Sequence, residues 1–153
     1  MALLLWMIAE DEADIRNLLT MMVQVWGHNP IAYENGQKVW EWLDELESKP
    51  EQPPVPELIL MDIRMPGKKG NELAQRMRTL EAFRHVPIVL MTAYSLTENE
   101  RAQMITDDGV DHIIAKPLPD FEQLRELLHT VAQKKRETLN GENTAKPSTS
   151  EPA

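Results

Sequence analysis

The chain has 153 residues, of which 42% are hydrophobic and 27% are charged, and its formal net charge is −9. This length and composition fit one globular domain with an additional short segment. Nucleic-acid-binding surfaces are basic, so the acidic balance argues against a nucleic-acid partner. The absence of cysteine excludes a disulfide framework, a thiolate metal site and a cysteine nucleophile.

The apolar start of the chain, residues 1–12, reads MALLLWMIAEDE and predicts a buried first strand over 3–9. It lacks the basic first segment of a signal peptide, and acids stand where a cleavage site would be. Its apolar run is also far shorter than the roughly 20 residues that a membrane span needs. We therefore expect no membrane association and a cytoplasmic location.

The next elements alternate between helical and extended patterns. A helix is predicted from about Ala13, and its apolar stripe consists of Ile15, Leu18, Leu19, Met22 and Trp26. A weak strand over 30–33 and a second helix follow, and Trp40 is expected to be exposed because it lies off the apolar stripe of that helix. Residues 48–56 are rich in proline and are typical of a connector.

The second half of the chain repeats the alternation. Strands are predicted over 57–62, 87–91 and 110–115, with helices over 71–82 and 97–107 between them. A last helix begins after Asp120, which is a good N-cap residue. Residues 1–135 are thus predicted to form one domain, and the polar residues 136–153 a disordered tail.

Five alternations of strand and helix predict an α/β fold with a doubly wound, five-stranded parallel sheet flanked by five helices. The carboxyl ends of parallel strands meet at one edge of the sheet, where ligands bind. The polar residues at these strand ends are three acids, one hydroxyl and one cation: Glu10, Asp11, Asp62, Thr92 and Lys116.

These five side chains predict phosphoryl chemistry at Asp62. Two carboxylates about 4 Å apart repel by roughly 1 kcal/mol in water and by about 4 kcal/mol at an effective dielectric of 20. A cation relieves this repulsion, and oxygen ligands favour Mg²⁺ over Zn²⁺. Lys116 supplies a point charge suited to phosphate. The set therefore fits nucleophilic attack by the Asp62 carboxylate on a phosphoryl group.

These residues resemble the receiver domain of two-component response regulators over residues 3–132. The resemblance depends on the motifs Glu10-Asp11, Asp62 with Met65-Pro66 and Gly70, Thr92-Ala93, and Lys116-Pro117. It implies a flavodoxin-like receiver fold and a single-domain regulator, because no DNA-binding or catalytic segment follows the last predicted helix. It also implies a phosphoprotein whose only reactions are its own phosphorylation and slow dephosphorylation, rather than an enzyme.

The resemblance also implies residue roles and partners. Asp62 would receive a phosphoryl group from a sensor histidine kinase or a histidine phosphotransfer protein. Asp11, Asp62 and the backbone carbonyl of Arg64 would hold Mg²⁺, with Glu10 acting through water. Thr92 and Lys116 would contact the phosphoryl oxygens, and the peptide bond before Pro117 would be cis. A downstream protein partner is expected, and homodimerisation through the switching face is common in the family.

Two positions bear on the mechanism of switching. Ile113 stands where the family usually has an aromatic switch residue, so the coupling between Thr92 and an aromatic ring is in question. Tyr94 places a ring near the site, and we hypothesise that it shields the phosphoryl group from water.

Two alternative functions stay open at this point. An aspartyl-nucleophile phosphatase would need a second acid two residues after Asp62, where the chain has Arg64. A receiver-like scaffold would work without phosphorylation, which the complete set of acids, Thr92 and Lys116 argues against. The four histidines show no ligand spacing and are expected to have structural roles: His28, His85, His112 and His129.

Overall fold

The structure is a computed structural model, and it describes residues 4–49 and 55–148. Most of the predicted connector, the first three residues and residues 149–153 lie outside the described residues. The elements in chain order are β1 (Leu5–Ala9), α1 (Ala13–Val25), β2 (Asn29–Tyr33), α2 (Gly36–Ser48), β3 (Leu58–Asp62), α3 (Gly70–Thr79), β4 (Ile88–Thr92), α4 (Glu98–Thr106), β5 (His112–Ala115) and α5 (Phe121–Ser148). A single 3-10 turn, Glu81–Phe83, follows α3.

The five strands form one parallel sheet in the order β2-β1-β3-β4-β5. This confirms the predicted doubly wound sheet. The strand order reverses between β1 and β3, which are neighbours in the sheet although they are not consecutive in the chain. Ligands bind at such a reversal in open α/β sheets, outside the carboxyl ends of the strands. The sheet therefore places the ends of β1 and β3 at the position best suited to a site.

Alternate residues of each strand point to opposite faces, which divides the core in two. On one face, the side chains of α2 and α3 pack against Met7, Ile59, Met61, Ile88 and Leu90. On the other face, α1 and α5 pack against Trp6, Ile8, Leu60, Val89 and Met91. Every residue of β3 and β4 is buried, which explains why both strands read as continuous apolar runs.

The helices α1 and α4 differ in how much they bury. In α1 the predicted stripe packs against the core through Ile15, Leu19, Met22 and Trp26, whereas Leu18 is 45% exposed. In α4 none of residues 98–106, all of which the structure describes, is buried, and Ile105 is 44% exposed. Its N-terminus is nevertheless defined by a capping box of Thr97 and Glu100.

The prediction that Trp40 is exposed is wrong. Its ring is half-buried, with the ammonium of Lys68 4.4 Å and the guanidinium of Arg76 4.2 Å from its centroid. Arg76 also pairs with Asp44 and Glu47 of α2. Contacts between α2, α3 and the turn before α3 therefore cover an aromatic ring that lies off the apolar stripe of its own helix.

The last helix extends beyond the predicted domain boundary. Residues 136–148 are helical, where a disordered segment is predicted, and residues 149–153 lie outside the described residues. Two ion pairs lie where this part of α5 begins, from Lys135 to Asp111 at 2.8 Å and from Arg136 to Glu57 at 3.2 Å. Among residues 4–49 and 55–148, no helix combines the length and apolarity needed to cross a membrane.

Candidate functional site at the carboxyl edge of the sheet

The three predicted acids come together at the ends of β1 and β3. Carboxylate oxygens of Glu10, Asp11 and Asp62 lie within 4.8 Å of one another. Glu10 is fully buried and Asp62 is 7% exposed, whereas Asp11 is exposed. Three ionised carboxylates at this spacing repel one another, and a nearby cation relieves this repulsion. The all-oxygen donor set fits a hard divalent cation such as Mg²⁺.

Lys116 supplies a cation to this cluster. Its Nζ donates to Asp62 Oδ2 at 2.6 Å and to Glu10 Oε1 at 2.8 Å. Burial alone would lower the pKa of Lys116, but the hydrogen bonds to Asp62 and Glu10 hold that pKa above its ordinary value. Burial raises the pKa of Glu10, although its hydrogen bond from Lys116 opposes the effect. One ammonium group is therefore shared by two carboxylates.

Backbone hydrogen bonds between the strand ends hold the site in register. Ile63 N donates to Met91 O at 2.8 Å and Lys116 N donates to Thr92 O at 2.8 Å, so the β3, β4 and β5 ends are linked beyond the strands themselves. A Cβ at Gly70 would lie 2.5 Å from the carbonyl oxygen of Asp62. Gly70 thus allows the first turn of α3 to pack directly against the backbone of Asp62. The Lys116–Pro117 peptide is cis, as the resemblance implies.

Thr92 and Arg64 flank Asp62 from the neighbouring turns. Thr92 is 3% exposed, and its hydroxyl accepts a hydrogen bond from Tyr94 N at 3.0 Å. Arg64 N donates to Asp62 Oδ1 at 3.2 Å. The Arg64 guanidinium lies 4.0 Å from the centroid of the Tyr94 ring. This cation–π contact joins the turns after β3 and β4 beside the site.

Ile113 lies in the core rather than in the site. It is 5% exposed and belongs to the cluster on the α2–α3 face of the sheet, next to Leu90 in register. The carboxyl edge of the sheet brings together the five predicted site residues, Glu10, Asp11, Asp62, Thr92 and Lys116. Ile113, which stands where the family usually has an aromatic residue, packs in the core instead.

Sequence reasoning missed Arg16 of α1. Its guanidinium donates to the backbone carbonyl of Glu10 at 2.8 Å and approaches that of Asp11 at 3.5 Å. Glu12 N also donates to Glu10 Oε2 at 3.0 Å, so two contacts shape the turn that carries the acids. The only available signal was a lone arginine one turn into a helix that follows two acids.

Sequence reasoning also missed a pair of histidines. His28 Nε2 and His129 Nε2 lie 2.8 Å apart, although 101 positions separate these residues in the chain. The spacing of the histidines along the chain gave no sign of this contact. Only the docking of α5 beside the turn before β2 creates this contact, and no local pattern announces it.

The family model for the response regulator receiver domain matches residues 6–129. The chain belongs to this family. The match extends from β1 into α5 and includes every strand end of the site. The family is one of signalling domains, and the two-component assignment made from the site residues is confirmed.

Two curated relatives of this receiver domain differ in how much of their length the chain covers. The phosphate regulon transcriptional regulatory protein PhoB of Pseudomonas aeruginosa is 29% identical over 139 residues, 91% of this chain and 55% of the relative. The polar-differentiation response regulator DivK of Brucella anthropi is 30% identical over 112 residues, 73% of this chain and 83% of the relative. The chain thus spans about half the length of the PhoB relative and most of DivK.

Solved structures share the fold of this receiver domain. The chemotaxis response regulator CheY4 of Vibrio cholerae aligns with a TM-score of 0.68 and 22% identity, covering 85% of this chain and 99% of that protein. A CheY-like receiver domain protein from Methanospirillum hungatei aligns with a TM-score of 0.72 and 20% identity, covering 90% and 99%. At these identities the likeness establishes the fold.

Proposed function

We propose that this receiver domain accepts a phosphoryl group on Asp62 and thereby switches a surface that binds a protein partner. The observation that carries the proposal is the contact of Lys116 with Asp62 and Glu10 inside a cluster of three carboxylates. This cluster holds more negative charge than Lys116 neutralises. Such an excess suits a site that also binds a metal ion and a phosphoryl group.

In this proposal the phosphoryl donor is a phosphohistidine of a sensor kinase or a phosphotransfer protein. A carboxylate oxygen of Asp62 attacks the phosphorus, the phosphorus–nitrogen bond breaks, and the leaving imidazole takes up a proton. The product is an acyl phosphate on Asp62. Lys116 neutralises negative charge on the transferred group, and the Thr92 hydroxyl donates a hydrogen bond to one of its oxygens.

Mg²⁺ is the proposed cofactor, held by Asp11, Asp62 and the backbone carbonyl of Arg64, with Glu10 acting through water. When bound, it would neutralise charge on the phosphoryl oxygens. Arg16 would support this site because it holds the backbone of the turn that carries Glu10 and Asp11. Arg64 and Tyr94 would restrict the access of water to the acyl phosphate through their stacked side chains.

Switching would follow from the present partner of Thr92. Its hydroxyl now accepts from Tyr94 N, in the segment that leads into α4. A turn of Thr92 toward the phosphoryl group would release this contact and move that segment. The α4 helix is suited to move because it buries none of residues 98–106. Since Ile113 is packed in the core, the movement would pass through the backbone of the β4–α4 turn rather than through an aromatic switch.

The proposed setting is a cytoplasmic phosphorelay. The output would be a protein partner or a second copy of the chain bound by the switched surface, and neither nucleic acid nor membrane is expected to bind. An aspartyl phosphatase is less well supported, since Arg64 stands where the second acid of that chemistry would lie. A phosphorylation-independent scaffold would have little use for an unneutralised acidic cluster.

The test is incubation with acetyl phosphate and Mg²⁺ followed by measurement of the intact mass. The expected result is the addition of one phosphoryl group that is lost in Asp62→Asn. Asp108→Asn is a matched control, since Asp108 is also buried but hydrogen-bonds to Gln75 rather than to Lys116.

The three candidate functions differ in outcome. Retention of the adduct in Asp62→Asn would contradict the assignment of Asp62. Rapid turnover of phosphoesters without a lasting adduct would support the phosphatase. The absence of an adduct with acetyl phosphate and with a phosphorylated histidine kinase would support the scaffold.

A further inference from the structure

The His28–His129 pair lies at the edge of the sheet opposite to Asp62. His28 directly precedes β2, and His129 is in the third turn of α5. Their Nε2 atoms are 2.8 Å apart and their ring centroids are 5.0 Å apart. Both rings are half-buried. Two imidazoles thus face each other through the same atom, between elements that are far apart in the chain.

The hydrogen-bond partners determine where the protons lie. His129 Nδ1 is 2.7 Å from the carbonyl oxygen of Arg125, which can only accept, so Nδ1 carries a hydrogen. The Nε2 atom of neutral His129 therefore presents a lone pair, and His28 Nε2 donates the single hydrogen between the rings. Burial and the neighbouring His129 lower the pKa of His28, which favours the neutral ring.

Aromatic contacts fix the planes of both rings. The Trp6 ring stacks on His28 with centroids 4.2 Å apart and an interplanar angle of 11°. The Trp26 ring meets His129 edge-on, at 5.8 Å and 77°. The Arg125 carbonyl holds His129 Nδ1 in the way that outer-shell acceptors orient histidine ligands of metals. The pair is therefore oriented in advance by groups on β1, α5 and the turn after α1.

We propose that His28 and His129 form a binding site for one divalent transition-metal ion of the Zn²⁺ or Cu²⁺ kind. Imidazole nitrogens suit these ions, whereas carboxylate oxygens suit Mg²⁺, so this site and the acidic cluster select different metals. Both Nε2 atoms are the ligands, and water completes the coordination. The proposal does not depend on phosphorylation of Asp62.

The spacing of the rings supports this assignment. Two imidazoles bound tetrahedrally through bonds of about 2.0–2.1 Å place their ring centres about 5.2 Å apart. The observed distance between the centroids is 5.0 Å. Metal binding thus requires the two rings to tilt, so that their Nε2 atoms separate to about 3.3 Å. It does not require α5 to move away from the sheet. The hydrogen on His28 passes from Nε2 to Nδ1 through solvent, and the neutral pair releases no net proton.

The test is a titration of the full chain with Cu²⁺, followed by tryptophan fluorescence in the presence of saturating Mg²⁺. Trp6 and Trp26 touch the two histidines, so a bound Cu²⁺ should quench their emission with one equivalent. Loss of an outer-shell partner alone costs about 10–100-fold in metal affinity, so His28→Gln and His129→Gln should each weaken binding at least that much. The matched control is His112→Gln, since His112 is half-buried but at the start of β5.

A second measurement keeps the proposal falsifiable if one variant folds poorly. Zn²⁺ should raise the Tm of the wild type and of His112→Gln, but not the Tm of either variant in the pair. Each variant removes a ring from a different element, and circular dichroism reports which of them is folded. Quenching that excess Mg²⁺ abolishes would place the ion at the carboxylates and overturn the proposal. Unchanged binding in a folded His28→Gln or His129→Gln protein, or no binding by the wild type, would also overturn it and leave a hydrogen-bonded pair alone.

Discussion

The two edges of the sheet use charge in opposite ways. At the carboxyl edge, three carboxylates gather around Lys116, and two of them share its ammonium. At the opposite edge, before β4 and β5, the single carboxylate of Asp111 receives Arg78 at 2.9 Å and Lys135 at 2.8 Å. The carboxyl edge therefore has more carboxylates than cations, whereas Asp111 at the opposite edge has two cationic partners.

Hydrogen bonds add to this difference between the two edges of the sheet. Arg78 also donates to the carbonyl oxygens of Gly109 and Phe83, and Asp111 Oδ2 accepts from Ile88 N. This edge therefore joins α3, β4, β5 and α5 in one saturated network. The carboxyl edge is strained by repulsion and stabilises the fold less, which is expected of a binding site. The acidic cluster and the network that joins the elements thus lie at opposite edges of one sheet.

The largest expected effect comes from removing one carboxylate at each edge. Asp111→Asn should lower the free energy of unfolding by about 2 kcal/mol, because Arg78 loses its charged partner while half-buried. Asp62→Asn should raise it by about 1 kcal/mol, because it relieves repulsion while Glu10 still pairs with Lys116. Urea denaturation of the two variants measures both changes. Changes of the same sign would contradict the contrast between the edges.

A smaller effect is expected from removing the Tyr94 ring at the carboxyl edge. Tyr94→Ala removes the cation–π contact with Arg64, which is worth about 0.5–1 kcal/mol at an exposed position. The phosphorylated protein should then lose its phosphoryl group about 2–5-fold faster, since 1.4 kcal/mol corresponds to tenfold. Dephosphorylation followed by intact mass tests this, with Tyr94→Phe as the control that keeps the ring. An unchanged rate in Tyr94→Ala would show that the ring does not shield the site.

The smallest effect concerns pH at the opposite edge. Burial lowers the pKa of His28 and of His112, the latter helped by Arg101 and Lys134. As the pH is lowered, these histidines therefore bind protons at a higher pH in the unfolded chain than in the folded protein. The free energy of unfolding should fall as the pH drops below about 6.5. Unfolding measured between about pH 7.5 and 5.5 should show this loss, and His28→Gln should reduce the slope. Substitution of the exposed His85 is the control. A slope that His28→Gln leaves unchanged would show that His28 does not contribute to the pH dependence.

Much of the carboxyl edge could be predicted because it depends on local rules. An apolar run of strand length places its last residue at the edge of a parallel sheet, and five such runs bring their end residues together. Glu10, Asp11, Asp62, Thr92 and Lys116 each follow or end such a run, so their meeting requires only the strand order. The capping box of Thr97 and Glu100 was equally predictable, because both residues belong to one turn of the chain.

The opposite edge and the helix surfaces could not be predicted, because they depend on how distant elements dock. The cover over Trp40, the ion pairs of α5 and the His28–His129 contact each join residues far apart in sequence. The pattern of side chains along one helix predicts which face is apolar, but not which neighbouring element packs against the residues beside that face. By itself, the sequence determined a parallel sheet with an acidic cluster at its carboxyl edge. Only the tertiary structure decided which charges and rings meet elsewhere, because those contacts follow from the packing of whole helices.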